Sequence, residues 1–373
     1  VYLDYAATTP YNKDVLKTYT QLLEKYFYNA DSIYSQGIEV NRLLEKSRGL
    51  LAKMLDVDEE EMIFTSCGSE ANNMAIKGIA FQYQNRGKHI ITTSIEHSSV
   101  YETCKELEEV FGFEVTYLPV DHTGHIQIDD LKKSLRNDTI LVSVMCINNE
   151  VGSIQPIEEI KNVLKDHPLV KFHVDMVQAL GKIKIDLKGI DCASFSAHKI
   201  NGLKGLFKRK STTLVPLING GQQEFGLRGG TSNACTYIVL AKTLRLALEN
   251  FDQKEKYVSK LSKYLIKELQ TIPDVIINAG GKVSSHIVNF SCIGYKPEVI
   301  LHALEEKDIL ISTRSACSSK TSDVSRVMQQ LHLPDEVAKS ALRVSISDLT
   351  KEEEIDKFIY CLKEVLDSIK KQR

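Results

Sequence analysis

The chain has 373 residues, 43% of them hydrophobic and 26% charged, which is room for two domains and ordinary for a globular enzyme. A formal net charge of −2 gives no global field to recruit nucleic acid and no acidic excess to keep the chain unfolded. The longest apolar stretch, residues 140–147, falls far short of the ~20 residues of a spanning helix, and no basic-then-apolar leader pattern opens the chain, so a cytoplasmic protein without membrane association is expected.

In chain order, Val40, Leu43, Leu44, Leu51, Met54 and Leu55 keep the three-and-four spacing of an amphipathic helix. A strand over 62–65 then enters a second helix, spaced for 71–79, through Ser66-Cys67-Gly68-Ser69-Glu70. Free backbone N–H groups at such a helix start can hold an anion, or Ser69 can simply cap the helix. Further β-rich runs at 89–93, 115–120, 140–147, 172–175 and 192–195 alternate with helical patterns, which predicts a largely parallel sheet covered by helices.

Several polar groups end these strands. His97 follows the run at 89–93 and falls at the C-terminal edge of the sheet, a ligand-binding position in open α/β folds or a plain loop position. Asn149, in Asn148-Asn149-Glu150-Val151-Gly152, closes the run at 140–147 and can present an amide or just turn the chain. Asp175 ends the next strand, with Gln178 just beyond, and 192–195 runs into Ser196-Ala197-His198-Lys199. A lysine there suits a Schiff base with an aldehyde cofactor. Pyridoxal phosphate also needs an acid beside its pyridinium nitrogen and donors for its phosphate, chemistries that Asp175, Ser196 and His198 offer. The alternative is that Lys199 is one of 47 Lys and Arg residues on a solvated surface.

The segment 220–233 is too glycine-rich for regular structure, and its spacing fails the G-x-G-x-x-G dinucleotide pattern, so an ordered polar loop is expected. Helical spacing resumes to about 251 and again to about 269, followed by strands near 275 and 287 mixed with helices. The expected division is a large domain over 13–252 and a small α+β domain formed by 1–12 with 253–373. In the small domain, Arg343 lies in a strand-like run where its guanidinium can clamp a carboxylate or face solvent from an edge. Eight cysteines show no C-x-x-C pair, which argues against a zinc ribbon or disulfide framework, and no metal site is expected. Cys317 stands apart in a hydroxyl-rich segment between Arg314 and Lys320, a setting for an exposed, reactive thiolate or an incidental loop thiol. The basic cluster Lys204, Lys208, Arg209 and Lys210 is a solvated face or a contact for an acidic partner or tRNA, and direct nucleic-acid binding is not expected.

Together these motifs resemble the cysteine desulfurases, NifS- and IscS-like members of the class V aminotransferase group. The resemblance spans nearly the whole chain, from Tyr2-Leu3-Asp4-Tyr5-Ala6-Ala7-Thr8-Thr9-Pro10 to Arg343. It implies a fold-type-I homodimer that binds pyridoxal phosphate near the subunit interface. In it Lys199 carries the Schiff base, Asp175 holds the pyridine nitrogen protonated, His97 stacks on the ring and assists proton transfer, and Gln178 bonds the phenolic oxygen. Ser69, Ser196 and His198 hold the phosphate, joined by Thr231 from the partner subunit. Asn149 and Arg343 bind the carboxylate of L-cysteine, and Cys317 attacks the substrate sulfur, leaving alanine and a persulfide that passes to an acceptor protein of iron–sulfur assembly or thiolation pathways.

The chain departs from that family pattern at Ala30, Asp31, Tyr34, Asn201, Phe225 and Arg314. After Gly205 it also reaches Leu206-Phe207-Lys208-Arg209-Lys210 a few residues early, which puts a strand of the cofactor-site wall in question. The other readings are a selenocysteine lyase or aminotransferase on the same cofactor, with Cys317 dispensable, and a catalytically weakened paralogue that serves as a sulfur-transfer scaffold.

Overall fold

The structure, a computed structural model, describes residues 1–196, 199, 204–278, 280–313 and 324–371. Its main sheet is built from β1 (Met62–Phe64), β2 (His89–Thr93), β3 (Glu114–Leu118), β4 (Thr139–Met145), β5 (Lys171–Asp175), β6 (Cys192–Ser196) and β7 (Lys204–Lys208). Their spatial order is β1-β7-β6-β5-β4-β2-β3. The pairs joining β3, β2, β4, β5 and β6 are parallel, while β7 runs antiparallel to both β6 and β1. β1 therefore points the same way as β6. The C-terminal ends of β1, β6, β5, β4 and β2 all reach one edge, where an open α/β sheet offers a crevice.

Alternation along the strands feeds two cores. Met62 and Phe64 of β1, Ala193 and Phe195 of β6, and Phe207 of β7 pack on one face with the helices Ser35–Leu55 and Ala234–Leu248. Ile63, Cys192 and Leu206 pack on the other with the helices Gly68–Tyr83 and Ser98–Phe111. All seven residues of β4 are buried, as expected of a central parallel strand covered on both faces. The shortened run after Gly205 still forms β7, five residues in register with β6 and three with β1. The strand put in question is therefore present.

A second sheet, in the order β10-β9-β8, consists of β8 (Val275–Ile277), β9 (Ile287–Cys292) and β10 (Ala341–Ser345). The helices Phe251–Leu269, Pro297–Glu305 and Glu352–Ser368 cover it and bury Leu261, Ile300 and Phe358 in a separate apolar cluster. The first residues join this cluster: Leu3 is fully buried in it, and the Leu3 and Tyr5 N–H groups bond the Leu310 and Ser345 carbonyls. Val327, Met328 and Leu331 pack instead with the main sheet. Among the described residues, no helix is long and apolar enough to cross a membrane.

Candidate active site

The crevice at the C-terminal edge contains a cavity of about 250 Å³. Ser69, His97, Asn149, Asp175, Gln178, Ser196, Lys199 and Arg343 all border it. Seven of these eight follow strand ends of the main sheet, and the eighth comes from β10, so the pocket forms only where the two sheets meet. His198 and Cys317 lie outside the described residues. Thr231 is exposed in the glycine-rich loop and does not border the cavity.

At the end of β1 the helix Gly68–Tyr83 begins with Cys67 as its cap, the thiol sulfur accepting from the Glu70 N–H at 3.3 Å. Ser69 is therefore not the cap, and its exposed hydroxyl stays at the helix start. A Cβ added at Gly68 would come within 3.1 Å of Val177 Cγ2 and 3.4 Å of Ser196 Cβ, so this glycine lets the helix start approach the β5 and β6 ends. Glu70 accepts from the Ser66 N–H at 2.8 Å, from the Ser66 hydroxyl and from Arg228 Nε at 2.8 Å. Although burial opposes it, the Arg228 and Ser66 donors hold the Glu70 carboxyl below its usual range. The same pair ties the glycine-rich loop to the helix start.

Asp175 is 5% exposed, and its two oxygens have separate tasks. Oδ1 accepts from the Val177 N–H at 2.9 Å, and Oδ2 accepts from Asn72 Nδ2 at 2.8 Å. Asn72 Nδ2 also donates to Ser99 Oγ at 2.8 Å, and Ser99 Oγ lies 2.8 Å from His97 Nδ1. Because the Ser99 N–H also points at Nδ1, at 3.1 Å, that nitrogen is an acceptor. A neutral His97 thus carries its proton on Nε2. Burial lowers its pKa, as do the Lys199 and Arg326 cations, while Asp175 opposes them, so the neutral ring is favoured near pH 7.

Gln178 is fixed on both sides of its amide. Nε2 donates to the Ala6 carbonyl at 3.0 Å, and Oε1 accepts from Lys182 Nζ at 2.8 Å. Ser196 is buried at the end of β6. Arg343 is 1% exposed, so it does not face solvent from its edge strand. Its two terminal nitrogens donate to the Asn149 carbonyl and to Asp4 Oδ1, each at 2.7 Å, while its Nε has no partner among the described residues.

Asn72, Ser99, Lys182 and Asp4 belong to this network without having been singled out in the sequence. Asn72 was the most accessible of them, since it lies three residues after Ser69 and hence on the same helix face.

The family model for class-V aminotransferases matches residues 1–358. A NifS/IcsS protein homolog of Lactobacillus delbrueckii subsp. bulgaricus is 42% identical over 100% of this chain and 98% of its own length. The cysteine desulfurase IscS of Dictyoglomus turgidum is 41% identical over 99% of this chain and 95% of its own. A solved NifS-like protein superposes with a TM-score of 0.93 at 35% identity, covering 99% of this chain and 100% of that one. The chain belongs to the class-V aminotransferase family and, within it, to the NifS- and IscS-type cysteine desulfurases.

Proposed function

We propose that this chain is a pyridoxal-phosphate-dependent cysteine desulfurase that converts L-cysteine to L-alanine and carries the released sulfur as a persulfide on Cys317. The observation that most supports this reading is the cavity shared by Asp175, Lys199 and Arg343, an acid at the end of β5, an amine just past β6 and a carboxylate clamp from the middle of β10.

The residues suit the cofactor. The helix start at Gly68 and Ser69 offers N–H groups and a hydroxyl for a phosphate, with Ser196 beside it. Asp175 would face the ring nitrogen, Gln178 the phenolic oxygen and His97 the ring, and Lys199 would hold the aldehyde carbon. When bound, the cofactor supplies an electron sink that makes the substrate's C–S bond breakable.

Arg343 and Asn149 would orient the substrate carboxylate, Arg343 Nε and the second hydrogens of its terminal nitrogens having no partner among the described residues. The neutral His97, its Nε2–H directed away from Ser99, would hold a proton at the reacting face. The Cys317 thiolate would attack the substrate sulfur, forming an S–S bond as the C–S bond breaks. The electron pair of that bond stays with the substrate's β-carbon, which takes up a proton and becomes the methyl group of alanine. The persulfide would then pass to an acceptor protein of iron–sulfur assembly or thiolation.

A cytoplasmic homodimer is part of the same proposal. Thr231, exposed and away from its own cavity, suits a residue that completes a second copy's phosphate site. The intact pairing of β7 weighs against the scaffold reading, which drew on the shortened run after Gly205.

The test is to load the purified protein with pyridoxal phosphate, add L-cysteine and follow visible absorbance, sulfide and alanine under reducing conditions. Equal yields of sulfide and alanine, lost in Cys317→Ser while the cofactor band remains, support the desulfurase. Undiminished product formation in Cys317→Ser overturns it in favour of a lyase or aminotransferase. Absence of any cofactor band favours the scaffold.

A further inference from the structure

Lys182 is a lysine where sequence pattern gives no reason to bury one. It is 6% exposed, and among the described residues its ammonium makes one hydrogen bond, to Gln178 Oε1 at 2.8 Å. No carboxylate among those residues neutralises it. Burial, with Lys199 and Arg343 nearby, brings its pKa down to about 7. Burying such a group without a paired anion costs free energy, so its place calls for a task. Behind it lies a second cavity, of about 110 Å³, which Lys199 also borders.

Gln178 shows what the task is. An amide has a donor end and an acceptor end of nearly the same shape, so its sense is set by its neighbours. The Ala6 carbonyl can only accept, and Lys182 in its ammonium form, held below about pH 7, can only donate, so the two then impose the same sense. Nε2 has two hydrogens, and the Ala6 carbonyl takes one. The other has no partner among the described residues and can serve a group in the cavity that Gln178 borders. A flipped amide would present an oxygen there instead, and would set Oε1 against the Ala6 carbonyl.

We propose that Lys182 is a positioning residue that locks the Gln178 amide with its donor end toward the cofactor's phenolic oxygen. This rests on the pyridoxal-phosphate reading above. A donor on that oxygen draws off negative charge and so lowers the proton affinity of the neighbouring Schiff-base nitrogen. Loss of the donor raises it.

The experiment is a pH titration of the visible absorbance of the loaded wild type, Lys182→Met, Gln178→Ala and the double variant. Met keeps the length of the side chain and favours burial. The expected result is an upward shift of the midpoint by roughly one pH unit in each single variant, a tenfold change in proton affinity, with no further shift in the double variant. A wild-type midpoint in Lys182→Met, or a shift that adds in full to that of Gln178→Ala, overturns the proposal, since a cation acting through space does not need Gln178. Lys182→Gln, which restores a neutral donor, is the second variant. Its midpoint is expected to fall back toward wild type, and one equal to that of Lys182→Met counts against the proposal. A wild type without a visible band instead brings down the cofactor reading itself.

Discussion

Asn72 Nδ2 lies 2.8 Å from Asp175 Oδ2 and bridges it to Ser99, so the acid at the end of β5 and the histidine after β2 are held by one amide. The helix Gly68–Tyr83 therefore contributes more than its N-terminus to the site. Through Asn72 it engages Oδ2 of Asp175, whose Oδ1 the Val177 N–H holds, and it turns the Ser99 hydroxyl toward His97 Nδ1.

Asn72→Ala should leave Asp175 Oδ2 and Ser99 Oγ each short of a partner, at a cost of about 1–3 kcal/mol for the buried groups stranded. Urea denaturation measures that loss. Equilibrium titration with pyridoxal phosphate should show affinity reduced by about tenfold, the equivalent of one charge-assisted hydrogen bond.

Arg343→Lys keeps the charge and loses the planar fork. With one ammonium in place of two terminal nitrogens, the contacts to the Asn149 carbonyl and Asp4 cannot both be kept while a substrate carboxylate is gripped. The expected outcome is a KM for L-cysteine raised about tenfold or more, the loss of one bidentate contact, with the cofactor spectrum unchanged. An unaltered KM would remove Arg343 from the substrate site.

Glu96 gives the protein a pH-dependent stability of known sign. It is 1% exposed, with Oε1 held by Thr93 Oγ1 and the Met145 N–H and with Oε2 unpartnered among the described residues, and burial pushes its carboxyl up to about 8. The folded state therefore keeps a proton that the unfolded state releases. The stabilising contribution is full below the ordinary carboxylate range and declines as the pH rises toward about 8. Glu96→Gln should flatten the fall in unfolding free energy between pH 5 and 8 by up to about 1.4 kcal/mol per pH unit, measured by denaturant melts across that range.

Arg48 and Glu224 form a bidentate pair with side chains 3% and 4% exposed, and Glu224 also accepts from the Phe64 N–H. Glu224 and Phe225 hold left-handed backbone, with φ of 49° and 58°, so this contact maintains a loop conformation that non-glycine residues resist. Glu224→Ala leaves Arg48 with Glu45 and the Met62 carbonyl but takes the acceptor from the Phe64 N–H, and should cost about 1–3 kcal/mol, whereas Arg48→Met with Glu224→Leu should recover part of it. Chemical denaturation of the three variants is the measurement.

Local pattern made the strands of the main sheet and most of the pocket legible. β2 was read to the residue, and the apolar runs at β4 and β6 placed Asn149 and Ser196 at strand ends. What the sequence hid depends on partners far along the chain. β7 lies between β6 and β1 in space but after both in sequence, so its antiparallel sense could not be read from its five residues. Lys182 looks like any surface lysine, because nothing in its neighbourhood announces burial. Arg343 sits in a strand that resembles an exposed edge until residues 1–6 cover it. Ser69 was read as a possible cap because its hydroxyl is the usual capping chemistry, and Cys67 took that role two residues earlier.

The contact between Asp4 and Arg343 joins residues 339 positions apart, and Leu3 and Tyr5 are tied to Leu310 and Ser345 in the same seam. On a translating ribosome the opening segment must therefore wait for its partners, for roughly half a minute at ordinary elongation rates. During that interval the main sheet can form while the pocket still lacks one wall. A nascent chain would gain the ability to grip its ligands late, only once residue 343 has emerged, and abruptly.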